Sequence, residues 1–136
     1  MKIITVKGEK NTGKSTLLKY AFKQLVADGA DVIEYDCNDF LTDDFCAYLI
    51  WHGKKIVIYS IGDSAKYVEE GVKKANDWKV DILLNSLTNR VSLKKYRTLI
   101  PKTEISVDML TKKDKEDRIQ QKQRKYYDKI LPELKK

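Results

Sequence analysis

A run of β-branched residues, Ile3 to Val6, gives way within two positions to Gly8-Glu9-Lys10-Asn11-Thr12-Gly13-Lys14-Ser15. Apolar residues then recur at Leu17, Leu18, Ala21, Phe22, Leu25 and Val26. The first run has the make-up of a strand and the last the spacing of one helix face, so a strand turns through a glycine-bracketed loop into a helix. That opening constrains the whole chain. A helix leaving a strand end must pack back onto the sheet, which commits the chain to layered α/β architecture.

The remaining elements emerge from the same patterns. Gly29 stops the first helix, Asp31 to Tyr35 reads as a second strand, and Asp36 to Asp44 is an acidic loop. Phe45 to Trp51 and Lys55 to Ile61 are strand-like and are separated by His52 and Gly53, which predicts a β-hairpin. Ser64 can cap a helix running to about Trp78, Val80 to Leu84 is a compact apolar strand, and Asn89 to Leu99 reads as a short polar helix. Pro101 breaks the chain, Glu104 to Val107 reads as the last strand, and Thr111 with Asp114 resembles a capping box opening a long final helix, about 111–134. Its apolar positions Ile119, Tyr126, Tyr127, Ile130 and Leu134 form a docking stripe.

The expectation is a single α/β domain over 1–136, three layers deep. A mostly parallel central sheet would carry one antiparallel hairpin strand and helices on both faces. In such sheets ligands bind beyond the C-terminal ends of the strands, so Gly8, Asp36, Asp63 and Asn85, each expected just after a strand, should converge on one side.

Gly8 to Ser15 matches the pattern G-x-x-x-x-G-K-[ST] at every defined position, in the strand-to-helix context that the motif requires. Its backbone N–H groups can wrap a polyphosphate, and the helix that starts there adds its positive dipole end. Here the sequence resembles the P-loop NTPase superfamily. The resemblance implies a three-layer P-loop NTPase fold and ATP, or alternatively GTP, bound with magnesium. The contacts would come from Gly8, Asn11, Thr12, Gly13, Lys14, Ser15 and Thr16, with Lys14 on the β- and γ-phosphates and Ser15 on the metal. Gly53 to Asp63, with the helix after it and Asp81-Ile-Leu-Leu-Asn, also resembles small bacterial and phage ATP-binding proteins, a likeness that implies no particular reaction.

A second magnesium group is expected at Asp63, which comes after Ile56-Val-Ile-Tyr-Ser-Ile-Gly and is equally accounted for as a helix cap. Asp36, with Asp39 as its neighbour, stands where small P-loop kinases carry an acid that orients the acceptor hydroxyl. Arg90 and Arg97 could neutralise a phosphoryl group in transfer, with Arg118 and Arg124 of the final helix as further lid candidates. Each of these side chains also has an ordinary surface reading. Thr111-Lys-Lys-Asp114 resembles the guanine-reading [NT]-K-x-D motif, but the D-x-x-G motif of GTPases is missing, since Gly62 and Asp63 stand in reverse order.

Three functions fit these features. The first is an NTPase or nucleotide-dependent switch. The second is a small-molecule or nucleotide kinase with a phosphate acceptor, for which Asp36 and Arg90 would serve beside Lys14 and Asp63. The third is a module in which the nucleotide is structural and the basic C-terminal helix meets nucleic acid or protein; the charge of +7, 27 basic against 20 acidic residues, falls most heavily on the last quarter of the chain. No eighteen apolar residues run together and no signal-peptide core is present. With Cys37 and Cys46 read as reduced, the expectation is a cytoplasmic protein without membrane contact.

Overall fold

The computed structural model describes residues 1–9, 13–37, 44–62, 64–88, 91, 103–106 and 116–136. Their order is β1 (Lys2–Gly8), α1 (Lys14–Ala27), β2 (Asp31–Asp36), β3 (Cys46–Trp51), β4 (Lys54–Tyr59), α2 (Ala65–Asp77), β5 (Ile82–Thr88), β6 (Thr103–Ser106) and α3 (Glu116–Lys135). The helix expected over Asn89 to Leu99 and the capping box at Thr111 and Asp114 lie outside the described residues.

The strands form one sheet in the order β2-β3-β4-β5-β1-β6. β4–β5, β5–β1 and β1–β6 are parallel, whereas β2–β3 and β3–β4 are antiparallel. The expected mostly parallel sheet of a three-layer P-loop NTPase fold is thereby corrected to a mixed sheet in which β2, β3 and β4 make an antiparallel meander. The connections explain the difference. A parallel pair needs a crossover of about a dozen residues or more; the nine residues 37–45 between β2 and β3 fall short of that, so β2 joins the sheet antiparallel to β3, while the two-residue link His52-Gly53 makes the expected hairpin of β3 and β4. Both residues of that link have positive φ, 48° and 76°, as the tight type I′ hairpin requires. Among the described residues β2 pairs with β3 alone, and β5 and β6 are the neighbours of β1.

Burial divides cleanly between the two faces. On one, Ile4 and Val6 of β1, Ile56 and Ile58 of β4, and Leu84 of β5 meet Leu17, Leu18 and Leu25 of α1 and Tyr126, Ile130 and Leu134 of α3. On the other, Ile3, Val57, Tyr59, Leu83 and Leu87 meet Val68, Val72 and Ala75 of α2. Successive side chains of a strand point to opposite faces, so a strand covered by helices on both sides reads as a continuous apolar run. β1 and β4 do so.

β5 extends to Thr88, beyond the expected end at Leu84, and it buries Asn85, Ser86 and Thr88. Asn85 is therefore not at a strand end. It is paired with Thr5 in the middle of the sheet and accepts a hydrogen bond from Thr5 Oγ1 at 2.7 Å. A polar side chain is tolerated at such depth because it has a partner.

α1 ends in a Schellman motif. Gly29, at φ 91°, lets its own N–H reach Val26 O and that of Ala30 reach Leu25 O. α2 ends the same way with Lys79 in the left-handed position, at φ 52°. The end of α3 is held by lysines from the starts of two strands. Lys2 Nζ donates to Glu133 O at 2.9 Å and to Glu133 Oε2 at 2.8 Å, and Lys54 Nζ donates to Leu134 O at 2.8 Å. Cations there satisfy carbonyls that have no partner within the helix and complement its negative end.

Hydrogen bonds from Lys2 above all, and from Lys136, hold the Glu133 carboxyl below its usual range. A depressed carboxyl stabilises the fold above its unfolded pKa of about 4.3, and that contribution disappears as pH falls through the folded value. Wild type should therefore be more stable than Glu133→Gln at pH 7 in urea titrations, with the gap closing as the pH is lowered below 4. A gap independent of pH would show that packing of the stem, not the charge, holds α3.

Candidate functional site

β1 delivers Gly8 to the C-terminal end of the sheet, and α1 begins at Lys14 behind Gly13, whose φ of 90° is left-handed. Glycine adopts that region without the steric penalty of a Cβ. Gly13 supplies no capping side chain, and no acid stands in the first turn of α1. Among the described residues, α1 and its cap position thus supply neither of the two side-chain devices that usually complement such a terminus. A terminus of this kind is suited to an external anion.

Lys14 is buried, at 7% exposure, and its ammonium donates to the carbonyl of Glu9 at 2.5 Å. The cation is thus folded against the loop itself. Ser15, one residue on, donates from Oγ to Asp44 Oδ1 at 2.6 Å, and Ser60 Oγ donates to the same oxygen at 3.0 Å. Ser60 in turn accepts from the N–H of Phe45 at 2.8 Å, and its own N–H donates to Phe45 O at 3.0 Å. Ser86 Oγ donates to Ser60 O at 2.5 Å. Hydroxyls from the start of α1, the end of β4 and the middle of β5 are linked through the Asp44 carboxylate and the backbone of Ser60.

A search of the sequence for acids just after strand ends passes over Asp44. β3 runs against its neighbours, so the residue before it lies at the same end of the sheet as the residues after β1 and β4. The signal is present in the sequence as an acid directly before the apolar run Phe45 to Trp51, once that run is assigned to the antiparallel arm of a hairpin.

The other expected site residues fall in several places. Thr16 is exposed on α1. Asp36 closes β2 at the outer edge of the sheet, four strand spacings from β1, or on the order of 19 Å at about 4.8 Å per spacing. Asn11, Thr12, Asp39, Asp63, Arg90 and Arg97 lie outside the described residues, as does the side chain of Arg118. Arg124 lines a groove of about 600 Å³ between α1 and α3, with Tyr20, Gln24, Asp28 and Tyr127. Gln24 is nine residues along α1 from Ser15, or about 13 Å at the helical rise, so Arg124, on α3, lies beside the later part of α1 and away from its start.

In that groove Asp28 accepts from Trp51 Nε1 and pairs with His52 Nε2, each at 3.0 Å. These bonds, the one with His52 foremost, lower its carboxyl pKa. Burial pushes the Tyr127 hydroxyl up to about 12 and the Cys46 thiol to about 11, so both stay protonated at neutral pH. Cys46 packs in the apolar cluster beneath α2.

Among the described residues no three His, Cys, Asp or Glu side chains gather into a metal cluster. A divalent cation at the start of α1 would have the Ser15 oxygen to bind, with Asp44 behind it. Such a sparse, hard-oxygen donor set fits magnesium, which keeps several waters and takes the rest of its ligands from substrate phosphates. Also among the described residues, no helix is long and apolar enough to cross a membrane. Compared with protein-family models, with curated proteins and with solved structures, the chain shows no match to any of them.

Gly62 fixes the segment after Ser60. A Cβ placed there would overlap the carbonyl oxygen of Ser86 and stand 2.6 Å from Ser86 Oγ, and Gly62 O accepts from the N–H of Thr88 at 3.1 Å. The obstacle is backbone and cannot rotate away. Gly62→Ala should therefore cost about 2–3 kcal/mol, in the range of overpacked core positions, in urea unfolding; a loss below about 0.5 kcal/mol, typical of surface changes, would mean that the segment is free to lift from β5.

Proposed function

We propose that this protein binds a nucleoside triphosphate, ATP in preference, with magnesium at the loop between β1 and α1, and that it hydrolyses the nucleotide or changes state with it. The observation that carries this reading is the conjunction at the start of α1: an N-terminus without a capping side chain, then a buried ammonium at Lys14, then the hydroxyl of Ser15 bonded to a carboxylate. A tight turn accounts for Gly13. It does not account for a cation and an oriented hydroxyl in succession.

Each group has a task that its chemistry suits. The backbone around Gly8 and Gly13 offers N–H donors to phosphate oxygens, and α1 favours negative charge at its start. Lys14 is near enough to exchange its bond to Glu9 O for one to a phosphate oxygen, a charge-assisted bond stronger than the neutral-acceptor bond it replaces. Ser15 offers its oxygen to the cation that accompanies the phosphates. Magnesium, when bound, supplies charge neutralisation at the β- and γ-phosphates.

The switch or hydrolase reading needs nothing beyond this cluster and a water-positioning group. Kinase chemistry would also need an acid beside an acceptor hydroxyl, and the position of Asp36 at the outer edge of the sheet gives that reading no support.

The test is binding. Ligand that binds only the folded state raises apparent stability by mass action, by about 2.7 kcal/mol at a hundred times Kd. The thermal midpoint should rise with ATP and magnesium more than with a nucleoside or monophosphate. Lys14→Ala should weaken triphosphate binding by calorimetry at least about thirtyfold, as loss of a charged hydrogen bond implies, while keeping the circular dichroism of the wild type. Unchanged affinity would remove the β1–α1 loop as the site.

A further inference from the structure

We infer that Asp44 is the positioning residue of the cation site, holding the Ser15 hydroxyl so that its oxygen is turned to a divalent metal; this rests on the nucleotide reading above and adds to it the residue that sets its metal dependence. The polarity of the hydrogen bonds points there. A serine hydroxyl has one proton and two lone pairs. To ligate a cation, Ser15 must use a lone pair and direct its proton elsewhere. Asp44 Oδ1, at 2.6 Å, is the acceptor that takes it.

The direction of each bond in the network is fixed. The Phe45 N–H can only donate, so Ser60 Oγ accepts there and spends its own proton on Asp44. An ionised carboxylate can only accept, so Ser15 also donates. The donor order runs from Phe45 N–H to Ser60 to Asp44 on one side, and from Ser15 to Asp44 on the other. The lone pairs of Ser15 are left on the side away from Asp44. A carboxylate one hydrogen bond from the metal ligand also adds negative charge next to a cation, and partners of this sort tune metal affinity through the ligand they orient.

A purely mechanical reading competes with this one. Asp44 also ties the start of α1 to the β3–β4 hairpin, and it could do so without influencing any metal. The two readings differ in what they do to magnesium dependence.

The experiment measures ATP affinity by calorimetry with magnesium and with EDTA, for wild type, Asp44→Ala, Asp44→Asn, Ser15→Ala and Ser60→Ala, with Mn2+ binding to the protein–ATP complex followed by electron paramagnetic resonance. Asp44→Ala should lose about tenfold or more in Mn2+ affinity and in the gain that magnesium brings, the cost typical of removing the partner of a metal ligand. Its affinity in EDTA should stay within about twofold of wild type, because the phosphate donors are untouched. Ser60→Ala, which leaves the Ser15 to Asp44 bond in place, should keep the magnesium gain.

If Asp44→Ala does not fold, Ser15→Ala and its double variant with Asp44→Asn carry the test. The single change should remove the magnesium gain and the second should add nothing, since residues acting through one contact are not additive. A wild-type magnesium gain in Asp44→Ala, equal losses with magnesium and with EDTA, or a further loss in the double variant would overturn the inference and leave nucleotide binding standing. Wild type without ATP affinity in either medium would overturn the nucleotide reading itself, and this inference with it.

Discussion

The covering of β1, β4 and β5 on both faces is the constraint on which the other features depend. α1 and α3 close one side and α2 the other, so side chains along the middle of these strands have no contact with water. A polar group placed there must find a partner within the protein, because leaving it unpaired costs about 1–3 kcal/mol. Thr5 and Asn85 satisfy each other. Polar work that needs access to a ligand is accordingly displaced to the ends of the strands, where α1 begins and where the loops leave the sheet.

The same covering gives α3 its position. Its apolar residues lie against α1 and the sheet, and its last carbonyls meet Lys2 and Lys54 at the starts of β1 and β4. Those starts lie at the same end of the sheet, on either side of β5, because β1, β5 and β4 are parallel. The C-terminal ends of the strands therefore point the other way, toward the start of α1. One end of the sheet is occupied with holding a helix terminus, and the opposite end is where Lys14, Ser15 and Asp44 meet.

Much of this is legible in the sequence, for physical reasons that can be named residue by residue. The β-branched run before Gly8 and the spacing of Leu17, Leu18, Ala21 and Leu25 mark β1 and α1, because a covered strand and a one-sided helix leave different periods. His52-Gly53 marks the hairpin, since few residue pairs accept two positive φ values in succession. Two things are hidden. Asn85, Ser86 and Thr88 look like the end of a strand because polarity usually means solvent, and only long-range partners such as Thr5 and the Ser60 carbonyl make them interior. The pairing partner of β2 is hidden too. Asp31 to Asp36 is exposed almost throughout, and its anchor, Tyr35 against Phe22 and Phe45, is a long-range contact that the local pattern does not announce.

The antiparallel course of β3 links the corrected fold to the candidate site. In a sheet of parallel strands alone, every residue at the ligand end comes after a strand and is reached only once the chain has crossed the sheet. One reversed strand brings the residue before it to that end as well. Asp44 therefore arrives on the short, rigid arm of a hairpin, fixed by the Ser60 hydroxyl and by the paired backbone of Phe45 and Ser60. Ser15 is fixed from the other side by the first turn of α1. An oriented hydroxyl requires that both its own backbone and the acceptor of its proton be held, and here a helix holds the one and a hairpin the other. The mixed topology thus supplies at the β1–α1 loop a carboxylate whose position does not depend on the loop.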